Sequence, residues 1–382
     1  MQHSTDRILT THVGSMPRPP ELRVMLDAKQ AQEPYDEAAL AALVKNAVAD
    51  IVRQQAEVGL DIINDGEQYK TGWSGYIRDR LGGFEFRDVP PGAGNMERGT
   101  ERVKGNYEGY FADQARTRAR PVAARQMVCT APITYTGQAA IQTDVDNLQS
   151  ALSGVSVAEA FMASVGPDNV GYQPEQNEYY ATEEEYIRAC AEAMREEYKA
   201  IADAGFVLQV DTPVMKFNAL GMELPDFRMR FGQLVELLNH TLQDIPEEQI
   251  RLHICYGGMR GPHSEDINLN EFVDLLLQVR CSGISYDQNP RHEHEWKLWR
   301  DVKLPDGKVL IPGVVAHTND VVEHPELIAD RIERLANLVG RENVVAGTDC
   351  GLGGRLHPDI VWGKFRSMVE GARRASAVLW DR

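Results

Sequence analysis

The feature that most restricts what this chain can fold into is a repeated phrase along its 382 residues: helix, glycine, short apolar strand. Residues 35–58 carry Ala, Leu, Val and Ile at helical spacing, stop at Gly59 and lead into Asp61-Ile62-Ile63-Asn64-Asp65. Thr182-Glu183-Glu184-Glu185 reads as a capping box opening a helix that runs to Ala204, stops at Gly205 and gives way to the apolar run 206–211. Residues 326–339, Gly340 and the run 344–349 repeat the phrase. A strand regenerated after each helix is the pattern of a parallel α/β sheet.

The number of strands separates the closed sheet from the open one. Eight buried-type candidates fall at 8–13, 61–65, 125–130, 206–211, 251–255, 283–287, 309–316 and 343–350. Eight is what a (β/α)8 TIM barrel requires, whereas no Gly-x-Gly-x-x-Gly follows the first strand to support an open doubly wound sheet. Such a barrel needs about 250 residues, so one barrel over residues 1–382 leaves excess chain for loops. The expectation is a single TIM-barrel catalytic domain with long insertions after strands 2 and 3, at about 72–121 and 132–181, over the carboxyl-terminal mouth.

Charge removes several classes of partner. Forty Lys and Arg against 57 Asp and Glu give −17, which argues against nucleic acid, whose binding needs a basic surface to displace counterions. The longest nearly apolar stretch, 309–316, is far below the roughly 20 residues of a membrane span. No apolar signal core follows Met1-Gln2-His3-Ser4-Thr5-Asp6-Arg7, so a cytoplasmic location is expected. A homo-oligomer is compatible with the sequence. Five cysteines do not make a disulfide framework. Cys129, Cys190 and Cys281 sit among apolar or helical neighbours and read as packing thiols.

Polar side chains gather where the strands end: His12 to Ser15, Asp65 to Glu67, Asp211, His253 to Cys255, Asp287, His317 and Cys350. In a barrel these ends converge on one rim. His253 and Cys255, two apart on a strand, face the interior together while Leu252 and Ile254 face the helices. With Cys350 they offer an imidazole and two thiolates, a ligand set for Zn²⁺, and Asp287 would complete a tetrahedron. Two thiolates and a carboxylate leave about one net negative charge, which suits zinc poorly to activating water and better to holding a substrate thiol as thiolate.

These residues resemble those of the cobalamin-independent methionine synthase family, in its catalytic carboxyl-terminal barrel and the single-barrel relatives. The match runs through Ile8-Leu9-Thr10-Thr11-His12-Val13-Gly14-Ser15, Asp65-Gly66-Glu67-Gln68, Gln209-Val210-Asp211-Thr212-Pro213 and Leu252-His253-Ile254-Cys255-Tyr256-Gly257-Gly258. It continues through Asn289-Pro290-Arg291-His292-Glu293-His294-Glu295-Trp296 and Gly347-Thr348-Asp349-Cys350-Gly351. The resemblance implies zinc on His253, Cys255, Asp287 and Cys350, with Asp standing where the family has Glu. It implies a homocysteine amino-acid end held by Gly14, Ser15, Glu67 and Asp211, and His317 as the acid that protonates the departing folate nitrogen. The implied partners are a small-molecule thiol and an alkyl, by default methyl, donor. Asp211-Thr212-Pro213 stands where methionine synthase has Asp-Glu-Pro, whose Glu helps bind the pterin. Three functions follow: a zinc-dependent S-methyltransferase making methionine, an alkyltransferase using another electrophile, such as an epoxide to coenzyme M transferase, and a non-enzymatic small-molecule-binding barrel. His292 and His294 read as a hydrogen-bonded loop rather than ligands.

Overall fold

The computed structural model describes residues 1–89, 105–117, 124–170, 176–214, 222–257, 261–288 and 290–381. Among the described residues the strands are β1 (Leu9–Thr10), β2 (Ile62–Ile63), β3 (Leu81–Val89), β4 (Ala124–Tyr135), β5 (Glu159–Val165), β6 (Val207–Asp211), β7 (Ile250–Ile254), β8 (Gly283–Tyr286), β9 (Val309–Val315) and β10 (Val345–Thr348). Eight form one parallel sheet in the order β1-β10-β9-β8-β7-β6-β5-β2. The seam between β1 and β2 is drawn together by Asp61, whose backbone N–H donates to the Thr10 carbonyl at 3.1 Å and whose Oδ2 accepts from the Thr10 N–H at 2.8 Å. The result is a nearly closed (β/α)8 barrel.

Local chemistry starts and stops the surrounding helices. Asp36 caps Glu37–Val58 by accepting from Ala39 N–H, and the helix ends at Gly59 with φ of 94°, a conformation glycine adopts without a Cβ clash. The Thr182 and Glu185 capping box is fully formed at the start of Glu183–Asp203. These helices pack their apolar faces on strand residues such as Leu208, Val210, Leu252 and Ile254 in one large core cluster.

The third strand is corrected. Residues 125–130 do form a strand, but within β4, which pairs antiparallel with β3 in a separate two-stranded sheet. The third barrel strand is β5, which pairs with β2 on one side and β6 on the other. The excess chain therefore concentrates between β2 and the helix Gln138–Leu152. Residues 132–181 are not one insertion, because they include that helix and β5. Parts of the first expected insertion, 90–104 and 118–121, lie outside the described residues.

The hairpin is rooted in buried charge. Arg80, immediately before β3, donates Nη1 to Glu197 Oε2 at 3.0 Å and pairs through Nη2 with Asp144. Glu197 also accepts from the hydroxyls of Tyr76 at 2.6 Å, Ser164 at 2.8 Å and Tyr135 at 2.8 Å. The chain leaving β2, both ends of the hairpin and β5 thus share one carboxylate.

Candidate metal and thiol site at the barrel mouth

Strand alternation builds the barrel interior in layers. Leu9, Ile62, Phe161, Val207, Val309, Ile311 and Val345 form an apolar floor, a cluster separate from the helix-facing core. Above it Arg251 is fully buried, its guanidinium 3.4 Å from the Phe161 ring centre. Three donors offset the cost of burying that charge: Nε to Gln209 Oε1 at 2.7 Å, Nη1 to Thr11 Oγ1 at 3.1 Å and Nη2 to the His12 carbonyl at 2.6 Å. Burial still lowers its pKa to about 9. With its oxygen engaged, Gln209 turns its amide N–H to Asp211 Oδ1, 2.8 Å away in the layer above.

The top layer holds the ligating side chains. One ring nitrogen of His253 and the sulfurs of Cys255 and Cys350 all lie within 4.8 Å of one another, and among the described residues no other group of His, Cys, Asp or Glu meets that standard. Parallel register sets His253 beside Ser285, and His253 Nδ1 bonds Ser285 Oγ at 3.0 Å. His253 Nε2 is buried without a well-formed hydrogen bond, and the ring interacts with the Cys350 thiol. A buried nitrogen satisfied only by a thiol is weakly satisfied, and a cation between it and the sulfurs would engage all three atoms. Two thiolates and an imidazole, one ring nitrogen pinned from behind, match the donor chemistry and outer hydrogen bonding that zinc takes.

Two adjacent buried thiols do not both ionise. Cys350 is held well below the usual thiol range, first by the hydrogen bond from Cys255 and then, against burial, by the Arg355 guanidinium. Cys255 moves the opposite way, raised by its bond to Cys350 and by burial. Asp287 lies beside this pair but outside the close group of ligand atoms. Its Oδ2 accepts from Tyr256 N–H at 3.2 Å and its Oδ1 is buried without a partner. Burial, then Asp349 and Cys350, push its pKa well above the carboxylate range.

The other expected residues adjoin this group. A Cβ on Gly14, at φ of 150°, would lie 2.6 Å from Glu67 Oε1, so glycine lets the Glu67 carboxylate approach the chain after β1. Glu67 itself adopts φ of 54°, a strained backbone for a non-glycine residue in a strand-end loop. The Ser15 carbonyl accepts from Leu352 N–H at 3.1 Å and Gly353 N–H at 2.9 Å, tying the loop after β1 to the loop that carries Cys350. Asp211 feels both His253 and Glu67, and burial raises its pKa to about 7. His317 is buried near Cys350; neither ring nitrogen has a well-formed hydrogen bond, and burial lowers its pKa to about 4.

Three site residues escaped the sequence reading. Ser285 faces His253, and strand alternation two residues before Asp287 was the signal that would have found it. Lys70, fully buried, places Nζ 2.7 Å from the Ala163 carbonyl and 3.4 Å from Glu67 Oε1, so it offsets part of the acidic charge. Arg355 acts on Cys350 from five residues downstream.

Comparison with known proteins bears on this arrangement. A family profile described as cobalamin-independent synthase, catalytic domain, matches residues 8–146 and 115–374. The chain belongs to that family. Members with curated names include a methionine synthase of Sulfolobus acidocaldarius, 25% identical over 371 residues and covering 95% of this chain and 90% of that protein. An uncharacterized protein of Bacillus subtilis, YxjH, is 23% identical and covers 94% of this chain and 92% of its own length. Among solved structures, a B12-independent methionine synthase from Shewanella sp. W3-18-1 in complex with selenomethionine aligns with a TM-score of 0.73 at 18% identity, covering 98% of this chain and all of the other. A second, from Listeria monocytogenes, aligns with a TM-score of 0.63 at 19% identity. Both carry the same fold. Among the described residues no helix is long and apolar enough to cross a membrane.

Proposed function

We propose that this family member is a zinc-dependent methyltransferase that moves a methyl group from a 5-methyltetrahydrofolate-like donor to the sulfur of homocysteine. The observation that carries the proposal is the convergence of His253, Cys255 and Cys350 at the barrel mouth, one ring nitrogen and two sulfurs within 4.8 Å of one another. Relatives of matching length bear the name methionine synthase, which supports the reaction class. His253, Cys255 and Cys350 would hold a zinc ion, with Asp287 offered as a fourth ligand, and the ion would supply the positive charge that keeps a substrate thiol deprotonated at neutral pH.

The chain's own residues do the rest. Ser285 holds the His253 ring so that Nε2 faces the sulfurs. Glu67 and Asp211 take the substrate ammonium in charge-assisted hydrogen bonds, with Asp211 aimed by Gln209. Gly14 and Ser15 hold the same amino-acid end of the substrate. We assign His317 as the hydrogen-bond donor to the atom that leaves the methyl group; its neutral ring suits donation to a developing negative charge.

A second reading keeps the same thiol site and changes the electrophile. Where methionine synthase has a pterin-binding Glu, Thr212 is buried here with its hydroxyl 3.4 Å from Asp168 Oδ1, so that contact with a folate is missing. An epoxide or a simpler methyl donor needs no pterin contact. The deciding experiment is alkyl transfer by the zinc-loaded protein to a panel of thiols, homocysteine and coenzyme M among them, from methyl-folate, simple methyl donors and epoxides. Methionine formation supports the first reading; absence of transfer to homocysteine from every donor overturns it.

A further inference from the structure

The run 290–296 has no place in the chemistry above, although it begins three residues after Asp287. Its central side chain, His292, is buried and both ring nitrogens face carboxylates: Nε2 lies 3.1 Å from Asp266 Oδ2 and Nδ1 3.2 Å from Glu295 Oε1. Two acceptors require two donors, so the ring is an imidazolium. Burial opposes the charge, but the bonds to Asp266 and Glu295 outweigh it and hold the pKa up at about 8.

Each carboxylate reaches a second group. Asp266 Oδ2 also takes His263 Nδ1 at 2.8 Å, and Glu295 Oε1 accepts from Leu269 N–H at 2.9 Å. The loop after β7 and the loop after β8 are therefore tied together through one ring. That ring lies flat on Tyr256, with centres 3.8 Å apart and planes 8° from parallel, a cation against an aromatic face. Tyr256 follows Cys255 directly, and its N–H holds Asp287 Oδ2. The far side of the loop is anchored by Glu293, which receives Arg331 Nε and Nη2 at 3.1 and 3.0 Å.

We propose that His292 is a positioning residue that clamps Tyr256 and thereby fixes Cys255 against Asp287 in the arrangement a metal ion needs. The inference rests on the metal site proposed above. It explains why two loops that each begin with a proposed ligand, Cys255 and Asp287, set two carboxylates, Asp266 and Glu295, on one ring: a ligand on a strand end is only as fixed as the residue that follows it.

The test measures metal release, not turnover. His292→Phe keeps a flat ring on Tyr256 and removes both donors. Zinc release from the loaded protein to a chromophoric chelator is expected to quicken about 10-fold, the lower end of what lost outer-shell support costs. The visible bands of the cobalt-substituted protein are expected to shift. His292→Gln, which keeps one donor, should fall between. A folded His292→Phe with wild-type release and an unchanged cobalt spectrum overturns the proposal. Should His292→Phe not fold, Glu295→Gln preserves an acceptor for Leu269 while removing one charge from the clamp; faster release supports the proposal and wild-type release overturns it. A wild-type chain that binds neither zinc nor cobalt overturns this proposal and the proposed function together, whereas binding insensitive to the variants overturns this one alone.

Discussion

Ser285→Ala isolates how the barrel prepares a ligand. A metal on His253 Nε2 requires the ring proton on Nδ1, and Ser285 Oγ at 3.0 Å is its acceptor. His253 is 2% and Ser285 1% exposed, so water does not replace the hydroxyl. A buried N–H without its acceptor costs about 1–3 kcal/mol. The metal-free ring escapes part of that cost by moving its proton to Nε2, while the metal-bound ring has no such choice. Most of the cost therefore falls on the bound state, and zinc affinity should weaken about 10- to 100-fold, near 1.4–2.7 kcal/mol. Competition against a chelator of known affinity at fixed pH gives the dissociation constant, with a melting curve to show that the variant is folded. A folded Ser285→Ala that binds zinc as tightly as the parent would refute the assignment of Nε2 as the ligand and Nδ1 as the oriented proton.

Other perturbations test the scaffold and the acceptor pocket. Arg80→Met leaves the buried carboxylates of Glu197 and Asp144 without their cation and should cost about 3–5 kcal/mol in chemical denaturation; a loss below about 1 kcal/mol contradicts the anchoring role. His12 is fully buried and its pKa falls from 6.5 to about 3 on folding, because burial disfavours the charged ring. The unfolded chain then takes up the proton first as pH falls, so His12 stability is complete above pH 6.5 and is lost between 6.5 and about 3. Between pH 7 and 5 the parent should lose about 2 kcal/mol that His12→Phe does not, and parallel stability curves would exclude this assignment. Asp211→Asn removes a charge meant for the substrate ammonium and should raise KM for the thiol about 10- to 100-fold at near-constant zinc content; steady-state kinetics with an unchanged KM would place the ammonium elsewhere.

How far the chain is legible from its residues depends on where each signal comes from. Helix stops at Gly59 and Gly205, the capping box at Thr182 and seven of the barrel strands were readable because local chemistry sets them. The third strand was not. Glu159-Ala-Phe-Met-Ala-Ser-Val has a single β-branched residue, and its strand state comes from pairing with β2 and β6. The run 125–130 has stronger strand character and does form a strand, but its partner is β3, a pairing fixed by tertiary contacts rooted at Arg80 and Tyr135. In the site, alternation foretold that His253 and Cys255 share a face, and the structure brings Cys350 to them. It does not bring Asp287 into the same close group: a carboxylate one methylene shorter than Glu is instead held from behind by Tyr256. Lys70 and Arg355 were illegible because a basic residue near a strand end becomes part of a site only through burial that the loops impose.

The central claim is that three strand-end side chains hold one zinc ion, and elemental analysis of the purified protein tests it most directly. Wild-type chain purified without chelator should carry one zinc per chain, and Cys350→Ala, with its fold confirmed by circular dichroism, should carry almost none. Zinc-free wild type, or one equivalent retained by Cys350→Ala, would contradict the account.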